Sequence, residues 1–431
     1  MAKGEARVLR ADRTQLQWDM IDLEGLLASD HRARLVWRFV ESLDLLPFYD
    51  LIKAREGEAG RPPPDPAVLV ALWLYATLEG VGSARELDRL THRDVAYRWL
   101  CGGVPVNYHG LSDFRVGHGE LLDRLLSESV AALMAEGLVD LEEVAIDGTK
   151  VRASAGKGSF VGSDGLAKAE RLASERVASL KAELDADPAA STRRKRAAQG
   201  RAARDLAARA DKARAALERL KAEKAARAKR HGKEEAGKGD PKVSLTDPEA
   251  RFMRFADGAV RPGYNVQIGA TRHGVIVSVM ESDRRNDAGL AVPMVDDIER
   301  RYGRAPQRIL VDTTYATVAN VAALGAREQG AIVVYAPPPE ERDDVKPATL
   351  RRRAAARAKE PQAVKDWRSR MATADAQAVY RRRRRIELVN AHVKNRGFGW
   401  LNVRGLLKAR AIALWHALAH NILTIHRLAH A

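Results

Sequence analysis

Two short β-branched apolar runs, each ending in an aspartate, do most to constrain the fold of this chain. Glu143 to Lys150 reads EVAIDGTK, and Arg308 to Tyr315 reads RILVDTTY. Runs of this kind suit strands buried on both faces of a parallel or mixed sheet. An acid at the end of such a strand is often a turn residue, but it also lies where open α/β folds place their sites. If the two strands are parallel neighbours, Asp147 and Asp312 sit about 5 Å apart at one sheet edge. Carboxylates that close repel strongly unless a divalent cation lies between them.

A third acid comes from a basic helical stretch. Tyr380 to Lys394 reads YRRRRRIELVNAHVK, so Tyr380, Arg383, Glu387 and Lys394 follow the spacing Y-x2-R-x3-E-x6-K. A helix advances ~100° per residue, which puts Arg383 near ~300°, Glu387 near ~340° and Lys394 near ~320° from Tyr380. On a continuous helix the four side chains share one stripe, with Arg382 pointing roughly ~140° away from Glu387. A carboxylate flanked by two cations and a phenol suits an acid that holds a metal ion beside a phosphate. Asp147, Asp312 and Glu387 are hard oxygen ligands, which favour Mg²⁺ or Mn²⁺ over zinc.

With these residues the chain resembles the DDE transposases of bacterial insertion sequences, in the group defined by a Y-R-E-K signature. Asp147 in AIDGT matches that family's first acid, and Asp312 matches the second. The second motif usually reads D-x-G-Y. Here Thr314 stands where glycine is usual, which raises the question of the turn geometry. SARELDRLTHRDVAYRWLCGG at 83–103, DPEARFM at 247–253 and PGYNVQI at 262–268 resemble one branch of the group.

The resemblance implies cleavage at the element's terminal inverted repeats and strand transfer into target DNA, with two divalent ions held by Asp147, Asp312 and Glu387. It implies that Tyr380, Arg383 and Lys394 bind DNA phosphates, and that the protein is a homodimer in its complex with double-stranded DNA. Two other readings stay open: a decayed or repurposed transposase that binds DNA without cutting, and a nuclease of the same fold.

Composition agrees with a polyanionic partner. The formal net charge is +16 and the sequence pI is about 10.0, which points to nucleic acid. With Cys101 the sole cysteine, no disulfide can form within the chain, and a reducing compartment fits. The start, MAKGEARVLRADRTQ, lacks an apolar h-region, and no apolar run is long enough for a membrane span. The expected location is the bacterial cytoplasm, associated with the nucleoid.

The predicted organisation is an all-α N-terminal DNA-binding domain over 1–135, then an α/β, ribonuclease-H-like catalytic domain over 136–431, interrupted by a helical-hairpin insertion at 161–240. Residues 1–29 read as extended or loosely packed. Ser83-x-x-Glu86 and Thr91-x-x-Asp94 predict helices starting near Ala84 and His92, a candidate helix-turn-helix carrying Arg85, Arg89, Arg93 and Arg98. In the insertion, Ala173, Val177, Leu180 and Leu184 on one arm face Leu206, Ala210, Ala213, Leu217 and Leu220 on the other, as a short heptad seam. GYNVQIGAT and GVIVSVMES predict a hairpin turning at Arg272-His273-Gly274.

Several features carry less. Asp287, in SDRRND, rivals Asp312 as second acid but precedes a helix and suits a cap. His416 and His420, and His426 and His430, have zinc-like spacing without a second ligand cluster, and read as packing or surface residues. Glu143 shares a strand face with Asp147 and reads as structural. No Walker motif indicates ATP use.

Overall fold

The structure, a computed structural model, describes residues 22–55, 61–186, 193–230, 239–339 and 347–430. Residues 1–21, most of the segment expected to be extended, lie outside that set.

The chain begins with helices: α1 (Arg32–Glu41), α2 (Leu46–Asp50), α3 (Pro66–Leu78), α4 (Ala84–Arg93), α5 (Val95–Cys101), α6 (Tyr108–Gly117) and α7 (Gly119–Ala135). The sequence of α3, PAVLVALWLYATL, is apolar on every side, so it is stable only when surrounded. Asp65 caps it by accepting from the Ala67 amide at 2.8 Å, and Pro66 fills the first turn, where no N–H is needed. Trp73 on α3 is fully buried and donates its indole N–H to the Leu111 carbonyl at 3.0 Å.

The α4–α5 pair differs from expectation at its junction. Ser83 caps α4 as predicted, but the second helix starts at Val95, and its cap is Asp94, which accepts from the Ala96 and Tyr97 amides. Thr91 instead donates its hydroxyl to the Asp88 carbonyl inside α4 and is buried. Aspartate with extended backbone is the stronger cap, and it takes the role three residues downstream. Gly102, with φ of 53°, ends α5 in the left-handed conformation.

Strand β1 (Glu143–Arg152) follows, then the short β2 (Phe160–Val161). The insertion forms the predicted hairpin of helices, α8 (Ser163–Ala186) and α9 (Arg193–Arg230). Ala173, Ala210, Ala213 and Leu217 of the expected seam are buried, whereas Leu206 is exposed and the side chains of Leu180 and Leu184 lie outside the described residues. Leu166, Ala213 and Leu217 pack at the base of the hairpin with Val243 of β3 (Val243–Ser244), which pairs with β2. Arg219 on α9 meets Asp283, which also accepts from Arg251 at 3.0 Å.

The remaining elements are β4 (Arg251–Arg254), β5 (Val260–Thr271), β6 (Ile276–Ser282), α10 (Ala291–Tyr302), β7 (Arg308–Leu310), α11 (Val318–Gly325), β8 (Val333–Tyr335), α12 (Pro347–Ala358), α13 (Gln362–Met371), α14 (Ala374–Arg381), α15 (Arg384–Asn395) and α16 (Leu406–Ala429). The sheet runs β6-β5-β1-β7-β8, with β4 sharing the edge of β5 that β6 uses. The β6-β5-β1 part is an antiparallel meander whose hairpin turns at Gly274, and β1, β7 and β8 are parallel. This mixed sheet, with helices α10, α15 and α16 packed against it, is a ribonuclease-H-like core.

Helix α16 packs against α3, α6 and α7 as well as β5 and β6, so the N-terminal helices and the sheet share one apolar core. Its polar residues serve that packing. Asn421 closes a pair of 2.8 Å bonds with the backbone of Ile276, and His420 Nε2 bonds the Gly274 carbonyl at 3.0 Å. His416 is buried beside Phe398. A charge node also joins the two regions. Fully buried Arg301 of α10 donates to Asp123 of α7 at 2.5 Å and to Asp297 at 2.6 Å, and Arg410 of α16 reaches Asp123 at 3.2 Å.

Candidate active site

Strand β1 brings the first acid to an opening in the sheet. Its residues Glu143, Val144 and Ala145 pair in parallel with Arg308, Ile309 and Leu310 of β7, and there the pairing stops. Continuing that register by two residues sets Asp312 opposite Asp147. Asp147 does not end its strand, as the sequence had implied. β1 continues to Arg152, held by β5 on its other side, with Asp147 opposite Ile268. What ends near Asp147 is the parallel partner, and this leaves the edge of β1 open.

Asp312 lies in the turn after β7. Its Oδ1 accepts from the Thr314 amide at 2.7 Å and the Tyr315 amide at 3.3 Å. Thr314 is exposed, and among the described residues no residue other than glycine has a positive φ. The turn therefore does not need glycine at 314, which answers the question raised by the departure from D-x-G-Y.

Asp147 is the most perturbed acid of the group. Burial pushes its carboxyl up to about 6, and the nearby charges of Asp312 and Asp287 act in the same direction. The Arg383 guanidinium and a hydrogen bond from Asn390 oppose the shift. Arg383 donates from Nη2 to Asp147 Oδ1 at 2.8 Å and from Nη1 to Glu387 Oε1 at 2.6 Å. Asn390 Nδ2 donates to Asp147 Oδ2 at 2.9 Å.

The basic stretch is not one helix. α14 ends at Arg381 and α15 begins at Arg384, with Arg382 and Arg383 in a tight turn between them. There the amides of Arg382, Arg383, Arg385 and Ile386 each bond a carbonyl three residues back. Such bonds wind the chain more tightly than an α-helix, so the simple 100° arithmetic fails across the turn. Tyr380 is half-buried against the core, Glu387 is exposed in the first turn of α15, and Lys394 is exposed in its last turn. Arg382, expected to point away from Glu387, reaches buried Glu143 at 3.2 Å, which also pairs with Arg308 at 3.2 Å. Glu143 thus has the structural part its position on β1 suggested.

Asp287 does not cap a helix. α10 begins four residues later, and its N-cap position, Leu290, makes no side-chain bond. The Asp287 side chain turns toward β5, where its Oδ1 accepts from Asn265 Nδ2 at 2.7 Å and Gln267 Nε2 at 2.8 Å. Tyr315 donates its hydroxyl to Gln267 Oε1. Asn390, Asn265 and Gln267 were all missed from sequence. Asn390 had a signal, since three residues beyond Glu387 it falls near ~280° on the same helical arithmetic. Asn265 and Gln267 had none beyond being polar residues at alternate positions of a buried strand.

Among the described residues, no three Asp, Glu, His or Cys side chains converge closely enough to hold a metal ion, and Arg383 stands between Asp147 and Glu387. The donor set nevertheless fits a hard divalent cation. It offers carboxylates and two buried amide oxygens, Asn265 Oδ1 and Asn390 Oδ1, that have no hydrogen-bond partner among the described residues. His416 and His420 are taken up in packing: His416 lies beside Phe398, and His420 Nε2 bonds the Gly274 carbonyl.

Residues 239–422 match the transposase DDE domain family, and residues 21–116 match the transposase domain family DUF772. No curated protein and no solved structure matches the chain. The first match spans β3 to β8 and most of α16, with β1 and Asp147 outside it, and the second spans the N-terminal helices from α1 to α6. The chain belongs to the DDE transposases of insertion-sequence type, a class of nucleic-acid-processing enzymes that act on DNA and generally use divalent metal ions. Among the described residues, no helix is long and apolar enough to cross a membrane.

Proposed function

We propose that this transposase cuts DNA at the terminal inverted repeats of its element and transfers the cut strands into target DNA, with Asp147, Asp312 and Glu387 as the acids of the reaction centre. The observation that supports this reading is the register between β1 and β7, which, continued by two residues, would set Asp312 opposite Asp147, the acid that Arg383 bonds. Two Mg²⁺ or Mn²⁺ ions held by these acids would lower the pKa of the attacking water or 3′-hydroxyl and stabilise the leaving oxygen. Arg383, which joins Asp147 to Glu387, is suited to turn to a DNA phosphate and so release both carboxylates together. Tyr380, beside the turn that ends α14, and Lys394, in the last turn of α15, would contact phosphates of the element's end.

The N-terminal helical domain would recognise those ends, with exposed Arg85, Arg89 and Arg93 of α4 as contacts, and two copies of the chain would hold two ends together. The test uses labelled duplexes carrying the inverted repeats that flank the gene, with Mg²⁺ and a target plasmid. Cleavage at the repeats followed by joining to the plasmid is the expected result. Cleavage with no preference for the repeats and no joining would make the protein a nuclease. End binding without cleavage would make it a repurposed binding protein.

A further inference from the structure

The acid-rich edge of the sheet holds one carboxylate that the three-acid reading leaves unused. Asp287 is anchored by one oxygen only. Its Oδ1 takes two amide hydrogen bonds, from Asn265 and Gln267, while Oδ2 accepts none from the described residues. Those two amides rise from neighbouring same-face positions of β5, the strand paired with β1. Gln267 sits opposite Gly148, and Asn265 sits opposite Lys150.

Gly148, next to Asp147, makes the arrangement possible. A Cβ at this position would collide with Asp287 Oδ1 and come within 2.6 Å of Gln267 Nε2 and 2.8 Å of Asn265 Oδ1. The charge of Asp287 acts directly on Asp147 and Tyr315.

Two further atoms of this pocket are left without partners among the described residues. Asn265 is 1% exposed and Asn390 is 7% exposed, yet the Oδ1 of each lacks a hydrogen-bond donor. Asn265 bonds Asp287, and Asn390 bonds Asp147, so the two orphaned oxygens flank the two carboxylates. An unsatisfied buried acceptor is unfavourable, and a hard cation or its water shell relieves that cost.

We propose that Asp287 is a fourth acid of the centre, presenting Oδ2 to a divalent cation that Asp147 also holds, with Asn265 and Gln267 fixing its orientation. The inference rests on the reading of Asp147 as an ion-holding acid. It gives the polar residues inside a buried strand a purpose, because second-layer partners of this kind orient ligands and tune affinity.

The experiment is titration of the full chain with Mn²⁺ alone, followed by electron paramagnetic resonance of the free ion, for wild type, Asp147→Asn, Asp287→Asn and Asp287→Glu. Loss of about tenfold or more in Mn²⁺ affinity is expected for Asp287→Asn, as for Asp147→Asn, with Asp287→Glu retaining more than the Asn variant. A purely structural clamp predicts the opposite order. Asn keeps the acceptor that both amides use, and Glu displaces it. Wild-type affinity in Asp287→Asn together with weakened binding in Asp147→Asn would overturn this inference alone. Unchanged affinity in both would overturn the acid centre as well. If Asp287→Asn does not fold, Gly148→Ala tests the same point with every carboxylate kept. It should weaken Mn²⁺ binding about tenfold by displacing Asp287, and unchanged affinity would sink the proposal.

Discussion

Arg383 donates to Asp147 at 2.8 Å although 236 residues separate them in sequence, and this contact ties the turn between α14 and α15 to the open edge of β1. The same guanidinium holds Glu387, so one side chain links an acid of the sheet to an acid of the helix. It follows that Asp147→Asn, Asp312→Asn and Glu387→Gln should each lower Mg²⁺-dependent end cleavage by about a thousandfold or more, since each removes an ion-holding charge. Affinity for the uncut end should change little. Gel-based cleavage with parallel binding measurements checks this. Full activity in Asp312→Asn would remove Asp312 from the centre and leave Asp287 as the second acid.

Three basic residues of the α14–α15 segment should separate by role. Arg383→Ala and Lys394→Ala should reduce end cleavage by about ten- to a hundredfold, the worth of one charged hydrogen bond, with a smaller effect on general DNA affinity. Arg382 is occupied by buried Glu143, which keeps Arg308 as a second partner. Arg382→Ala should therefore leave cleavage near wild type and cost at most about 1 kcal/mol of stability, because half of its side chain is in solvent. Equal cleavage losses in all three variants would reduce the run to a basic surface.

The Asp123 node should govern how firmly the N-terminal helices are joined to the core. Arg301 is fully buried and depends on Asp123 and Asp297 for its charge balance. Asp123→Ala removes one of them and leaves Asp297, so it should cost about 1.5–3 kcal/mol in chemical denaturation, the worth of a hydrogen bond to a charged group. A loss below about 1 kcal/mol would mean that solvent reaches Arg301 and screens it.

Acid should destabilise the protein through α16. Burial depresses His416 to about 3 and His420 to about 4, below the ordinary imidazole value. Both histidines are neutral in the folded chain, and protonation favours the unfolded state. Their contribution is complete above about pH 6.5 and is lost progressively as pH falls toward 4. For His420 the loss is on the order of 3 kcal/mol. His420→Gln, which can still donate to the Gly274 carbonyl, should flatten thermal stability between pH 6.5 and 4.5. A slope identical to wild type would show that His420 is protonated in the folded state.

Much of the architecture was readable from local pattern. The apolar runs EVAI and RILV marked buried strands, Arg272-His273-Gly274 marked the β5–β6 turn, and the Ala-rich island marked a helical hairpin, because each depends on neighbours in sequence. Spacing alone also singled out Glu387 and the residues around it. The α14–α15 break was not readable. Five consecutive arginines are good helix formers, and what draws Arg382 to Glu143 and Arg383 to Asp147 lies on β1, more than two hundred residues earlier. The start of α5 was misread because two capping residues compete within four positions and the packing of Thr91 decides between them. Asp287 looked like a helix cap, since the amides that claim its carboxylate sit on a strand whose register with β1 is set only when the sheet forms. The chemistry of each side chain was present in the sequence. Which carboxylates face one another was decided by the register of β1 against β5 and β7, because charges act through space and pairing across a sheet sets those distances.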